Sequence, residues 1–129
     1  MDTEKIREIF REIKGKGDGI KDILLVTEDG FPIVTTLETG DEEARSTAVG
    51  AIICEAGQRG IRELELGHID VSVIIGTKGY FIIKRLQQDS IMMVIVDDRA
   101  TAAPLGLSLL RIKNAVPKIK SAYQNDSSH

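Results

Sequence analysis

The sequence predicts a mixed α/β (α+β) domain: a five-stranded, mostly antiparallel sheet in the order 2-1-5-4-3, with one helix on one face and the two terminal helices on the other, in the chain order α-β-β-α-β-β-β-α. Three observations carry this. Ile23 to Val26 and Ile91 to Val96 are unbroken apolar runs, which mark strands covered on both faces. Glu28-Asp29-Gly30 and Lys78-Gly79 are turn signals between extended segments. Three further segments repeat apolar residues at helical spacing.

In chain order, Ile6, Ile9, Phe10 and Ile13 make the apolar stripe of a first helix, which stops at Gly15-Lys16-Gly17-Asp18-Gly19. The strand Ile23 to Val26 turns through Glu28-Asp29-Gly30 into a second strand from Phe31 to Leu37. Pro32 cannot donate to a ladder and places that second strand at a sheet edge. A middle helix starts at Asp41 as cap, with Glu42 and Glu43 at the positive end of its dipole. Its greasiest stripe, Val49, Ile52, Ile53 and Ala56, is expected on the protein's own core. Ile69, Val71, Val73 and Ile75 then alternate with Asp70 and Ser72, as in a strand with one wetter face. Tyr80 to Leu86 follows the Lys78-Gly79 turn, and Gln87-Gln88-Asp89 returns the chain into Ile91 to Val96. The last helix opens near Pro104, carries Leu105, Leu109, Ile112, Val116, Ile119 and Tyr123 on one stripe, and is expected to bend at Pro117. Residues 1–123 read as one domain and 124–129 as a flexible C-terminal tail.

The opposite face of the middle helix holds Thr47, Gly50, Ala51, Cys54 and Gln58, where a solvated helix usually shows Lys and Glu. Glycine inside a helix costs roughly 1 kcal/mol relative to alanine, so Gly50 and Gly57 ask for a compensating close approach by a neighbour. The alternative is a merely polar face on which the glycines are neutral. With the two apolar strands central, the third strand becomes an open edge beside this helix, a hazard unless covered or paired. The expected dimer interface is therefore Thr47, Gly50, Ala51, Cys54 and Gln58 with Ile69, Val71 and Val73, joining two copies edge to edge and helix to helix.

One cysteine allows no internal disulfide and suits a reducing, cytoplasmic setting. No stretch approaches the ~18 apolar residues of a membrane span, and Met1 to Lys14 mixes acids and bases where a signal peptide has an apolar block. The net charge of -3 and scarce aromatics argue against a nucleic-acid surface. Acids cluster at Glu28, Asp29, Glu38, Asp41, Glu42 and Glu43, without the ligand spacing of a calcium loop. The Gly15-Gly17-Gly19 spacing follows a helix and lacks the Gly-Lys-Ser/Thr ending of a phosphate loop, and Gly76-Thr77-Lys78-Gly79 reads as a hairpin turn. His68 and His129 lack an evident nucleophilic partner in sequence. Cys54 has nothing cationic placed to lower its pKa and reads as an apolar filler; if the helices of two copies cross near it, mild oxidant would link them. No catalytic, cofactor or metal site is expected. Arg59, Arg62, Lys84, Arg85, Arg111, Lys113, Lys118 and Lys120 offer docking charge, although Lys118 and Lys120 also suit a helix C-terminus.

The run from Gly19 through Asp22 to Ile33, the small-residue helix from Asp41, and Leu105-Gly106-Leu107 opening the last helix together resemble the Roadblock (dynein light-chain roadblock) domain family, over nearly the whole chain. The resemblance implies a homodimer built on the middle helix and a role as scaffold or regulator of Ras-like small GTPases, as in bacterial polarity regulators and lysosomal scaffold subunits. In some bacterial relatives the dimer stimulates GTP hydrolysis by repositioning the GTPase's own residues. Pro117 and the short tail depart from relatives that make contacts through a longer C-terminal extension.

Two function classes follow. One is a non-enzymatic dimeric scaffold or regulator whose partners are a second copy and a Ras-like small GTPase, with no nucleic acid and no membrane insertion. The other is a small-molecule-binding sensor, since mixed sheets with flanking helices can enclose pockets. The scarcity of buried-type polar anchors among the strand residues weighs against the second.

Overall fold

The Asp2 side chain accepts a hydrogen bond from the Lys5 amide (3.0 Å) and caps helix α1, Thr3–Lys14, whose Ile6, Ile9, Phe10 and Ile13 are all buried. The computed structural model describes residues 1–16, 19–87, 89–97 and 105–124. After α1 come strands β1 (Ile20–Thr27) and β2 (Pro32–Thr35), helix α2 (Gly40–Glu63), strands β3 (Val71–Gly76), β4 (Gly79–Gln87) and β5 (Ser90–Asp97), and helix α3 (Leu105–Gln124). The expected opening of α3 near Pro104, and the tail beyond Gln124, lie outside the described residues.

The sheet order is β2-β1-β5-β4-β3, and every neighbouring pair is antiparallel. The two unbroken apolar strands, β1 and β5, pair at its centre with Leu24 opposite Met93 and Leu25 opposite Met92. Because side chains alternate across a strand, each contributes to two cores. Ile23, Leu25, Met92 and Val94 pack with α1 and α3, where the stripe Leu105, Leu109, Ile112, Val116, Ile119 and Tyr123 gathers. Leu24, Val26, Ile91 and Met93 pack on the other face with Cys54 of α2. Both faces are therefore dry, as continuous apolar strands require.

Several boundaries differ from the sequence expectation. Thr39, rather than Asp41, caps α2: its side chain accepts the Glu42 amide at 3.1 Å, leaving Asp41 in the first turn to favour the dipole. The second strand is shorter than Phe31 to Leu37, and Phe31 sits exposed at the turn. Helix α3 continues through Pro117, whose missing N–H leaves the Lys113 carbonyl without its helical donor. Asp22 is buried yet satisfied, since its Oδ1 accepts from Thr36 Oγ1 (2.8 Å) and Lys14 Nζ (3.2 Å) and so ties the end of α1 to β1 and to the segment after β2.

Helix α2 ends in a left-handed cap. Glu65 has φ 57°, its amide donates to the Arg62 carbonyl (3.0 Å), and the Leu66 amide donates to the Ile61 carbonyl (2.9 Å). These are the two hydrogen bonds of a Schellman motif, which usually places glycine where Glu65 stands. Glu65→Gly is expected to raise stability by about 0.5–1 kcal/mol, part of the strain of a non-glycine residue in that region offset by the freer unfolded chain. Urea unfolding checks it through a higher midpoint at unchanged slope.

Candidate functional site: an apolar surface on α2 and β3

The faces of α2 are reversed relative to the sequence expectation. Thr47 and Cys54 are 3 % and 5 % exposed, turned onto the protein's own sheet. A Cβ on Gly50 would lie 2.2 Å from Met93 Cε, and one on Gly57 would lie 2.7 Å from Ile69 Cδ1. Val49 and Ile52, assigned to the core from their hydrophobicity, are 44 % and 67 % exposed, and Ala56 is exposed beside them. Ile53 alone of that stripe packs partly against the core beneath α2. The physical reason lies in the sheet. Met93 rises from it and Ile69 tucks in just before β3, and only a helix face of small residues can come down over them. The glycines do mark a close approach, but to the protein's own sheet.

The expected interface residues are accordingly mostly occupied. Thr47, Gly50, Cys54 and Ile69 are buried within the protomer, while Ala51 and Gln58 are half-buried. Gln58 Oε1 accepts the Ile69 amide at 3.0 Å, drawing Ile69 under α2 before β3 begins. Val73 packs partly against the α1/α3 core on the opposite face, so the expected alternation from Ile69 through Ile75 is interrupted ahead of Val71. Val71 remains exposed on β3, which is the open edge of the sheet, and so do Ile74 and Ile75.

Charged pairs border this apolar surface. Arg59 lies 3.7 Å from Glu55 one turn away, Arg85 lies 3.3 Å from Glu28, and Lys84 pairs with Asp70. A polar groove of 400 Å³ between α2 and the β1–β2 turn includes Cys54, Gln58, Arg62 and Arg85 in its lining. Burial pushes the Cys54 thiol above its ordinary value, with the Arg85 guanidinium opposing and Glu28 adding to the rise. A protonated, buried thiol is a poor nucleophile. Its place under α2 also removes it from any contact between α2 helices, so the expected oxidative link through Cys54 has no geometry here. Among the described residues, no group of three or more His, Cys, Asp and Glu is placed to hold a metal ion, and no helix is long and apolar enough to cross a membrane.

Sequence reasoning also missed Leu64, Leu66 and Ile74, all exposed. The two leucines follow the end of α2 within Glu63-Leu64-Glu65-Leu66-Gly67, where apolar residues outside any element were the available signal.

Fold and surface together define a layered α+β domain whose described surface includes an apolar helix face beside an open strand. Residues 6–96 match the Roadblock/LC7 domain model, well over half of the chain, and the chain belongs to that family. Solved structures of MglB share the fold. MglB from Myxococcus xanthus has a TM-score of 0.82 at 19% identity over 96% of this chain and 98% of that one. The gliding protein MglB from Thermus thermophilus has a TM-score of 0.80 at 18% identity over 94% and 90%. A further MglB structure, described in a tetrameric arrangement, has a TM-score of 0.81 at 18% identity over 94% and 89%. No curated protein matches the chain.

Two outcomes follow from the reversed helix. Gly50→Leu, by overpacking against Met93, is expected to lower stability by about 2–3 kcal/mol in urea unfolding, and a second change, Met93→Ala, to restore part of the loss. Cys54 is expected to react with a thiol reagent at least about tenfold more slowly in the native protein than in urea, as a buried, protonated thiol should.

Proposed function

We propose that the protein is a non-enzymatic dimeric scaffold or regulator that pairs with a second copy and binds a Ras-like small GTPase, modulating its GTP hydrolysis or its localisation. The observation that carries the reading is the uncovered apolar stripe Val49, Ile52 and Ala56 on α2, on the same side of the sheet as exposed Ile74 of the unpaired edge strand β3. Fully burying one valine or isoleucine side chain gains about 1.5–3 kcal/mol, so a stripe presented twice across a twofold axis offers a substantial driving force. This interface replaces the one expected on Thr47, Gly50 and Cys54, which face the protomer's own sheet. Membership of the Roadblock/LC7 family and a fold shared with MglB, a gliding protein with one structure described as tetrameric, support both the self-association and the prokaryotic small-GTPase branch. A cytoplasmic setting belongs to the same reading, since buried Cys54 has no partner to pair with in the chain.

Sedimentation equilibrium of the wild type and of Ile52→Arg tests the proposal. Ile52 is exposed, so the substitution leaves the protomer core intact. A wild-type dimer that becomes a folded monomer is the expected outcome, followed by binding of small GTPases in one nucleotide state over the other. A wild-type monomer would overturn the self-association, and thermal stabilisation of that monomer by small metabolites would favour a sensor.

A further inference from the structure

On the α2 side of the sheet, a groove of 620 Å³ lies at the far end of β3, where α2 does not reach. Ile74, Phe81 and Ile95 stand opposite one another across β3, β4 and β5 and line it, with Lys21, Lys78 and Asp97 also in its wall. Phe81 and Ile95 belong to the core beneath α2, which fixes the face, and Ile74 shares it by register. Helix α2 covers the other end of β3: Gly57 meets Ile69 and Ser72, and Gln58 holds the Ile69 amide. Just beyond that end, the left-handed cap at Glu65 fixes the backbone that carries Leu64 and Leu66, which are 69 % and 65 % exposed.

Each protomer thus carries an apolar projection at the start of β3 and an apolar recess at its end, both on the α2 side. An antiparallel pairing of two β3 strands about a twofold axis sets the start of one strand against the end of the other. We infer that the recess formed by Ile74, Phe81 and Ile95 is filled by Leu64 and Leu66 of a second copy, reciprocally, so that each groove is complete only when its partner's α2 terminus closes it. The inference rests on the β3-paired dimer proposed above and assigns a specific role to two leucines which otherwise face water.

The test mixes two single-cysteine chains, Leu66→Cys and Phe81→Cys, each on a Cys54→Ala background, and treats them with a short bis-maleimide crosslinker. A covalent dimer in the mixture, absent from either chain alone, is expected, because each cysteine meets its own counterpart only at opposite ends of the interface. Leu64→Asp/Leu66→Asp is expected to weaken wild-type dimerisation at least tenfold in sedimentation equilibrium while the circular dichroism spectrum stays unchanged. A wild-type dimer with no mixed crosslink and no response to the leucine changes would overturn this inference and leave the dimer standing. A wild-type monomer would overturn both.

Discussion

Met93 sets how α2 can lie on the sheet. It stands on the central strand β5, fully buried, with its sulfur and terminal methyl in the space where Gly50 would carry a side chain. A helix above such a residue has two choices: stand off and leave a gap, or present a face without side chains. The second keeps the dense packing of protein interiors, and the chain takes it with Gly50 and Gly57, while small Thr47 and Cys54 fill the same face. Rotation of the helix about its axis is thereby fixed, and the branched residues Val49 and Ile52 are carried to the outside as a consequence. The apolar outer stripe is the geometric complement of an inner face that must be small.

Glu55 pairs with Arg59 on α2, Glu28 with Arg85 beside the groove that Cys54 and Gln58 line, and Asp70 with Lys84 on the edge hairpin. Such exposed pairs add little stability, each about 0–1 kcal/mol.

The sheet was legible because its signals are binary. Unbroken apolar runs named β1 and β5 as central, Pro32 named β2 as an edge, and the Asp-Gly and Lys-Gly turns connected the hairpins, so little freedom remained in strand order. The stripes of α1 and α3 were legible for the same reason, since both pack by bulk. Helix α2 misled because amphipathic reasoning assumes that the greasiest face turns inward, and here shape overrode hydrophobicity. That override depends on which side of the sheet Met93 occupies, a fact of register that helical periodicity in α2 does not contain. The tucked position of Ile69 escaped for a related reason: its backbone amide donates to Gln58 Oε1, eleven residues earlier, which holds it under α2 just before β3 begins.

The two edges of the sheet are unlike. β3 offers a six-residue run of backbone with no proline, whereas β2 is four residues long and begins with Pro32. Strand addition can therefore proceed on one side only. If two β3 strands join as proposed, the sheet would run across both copies and its outermost strands would be the two short, proline-bearing ones, which resist further pairing. Strand pairing of this kind would terminate itself, leaving no open sheet edge from which a fibre could extend.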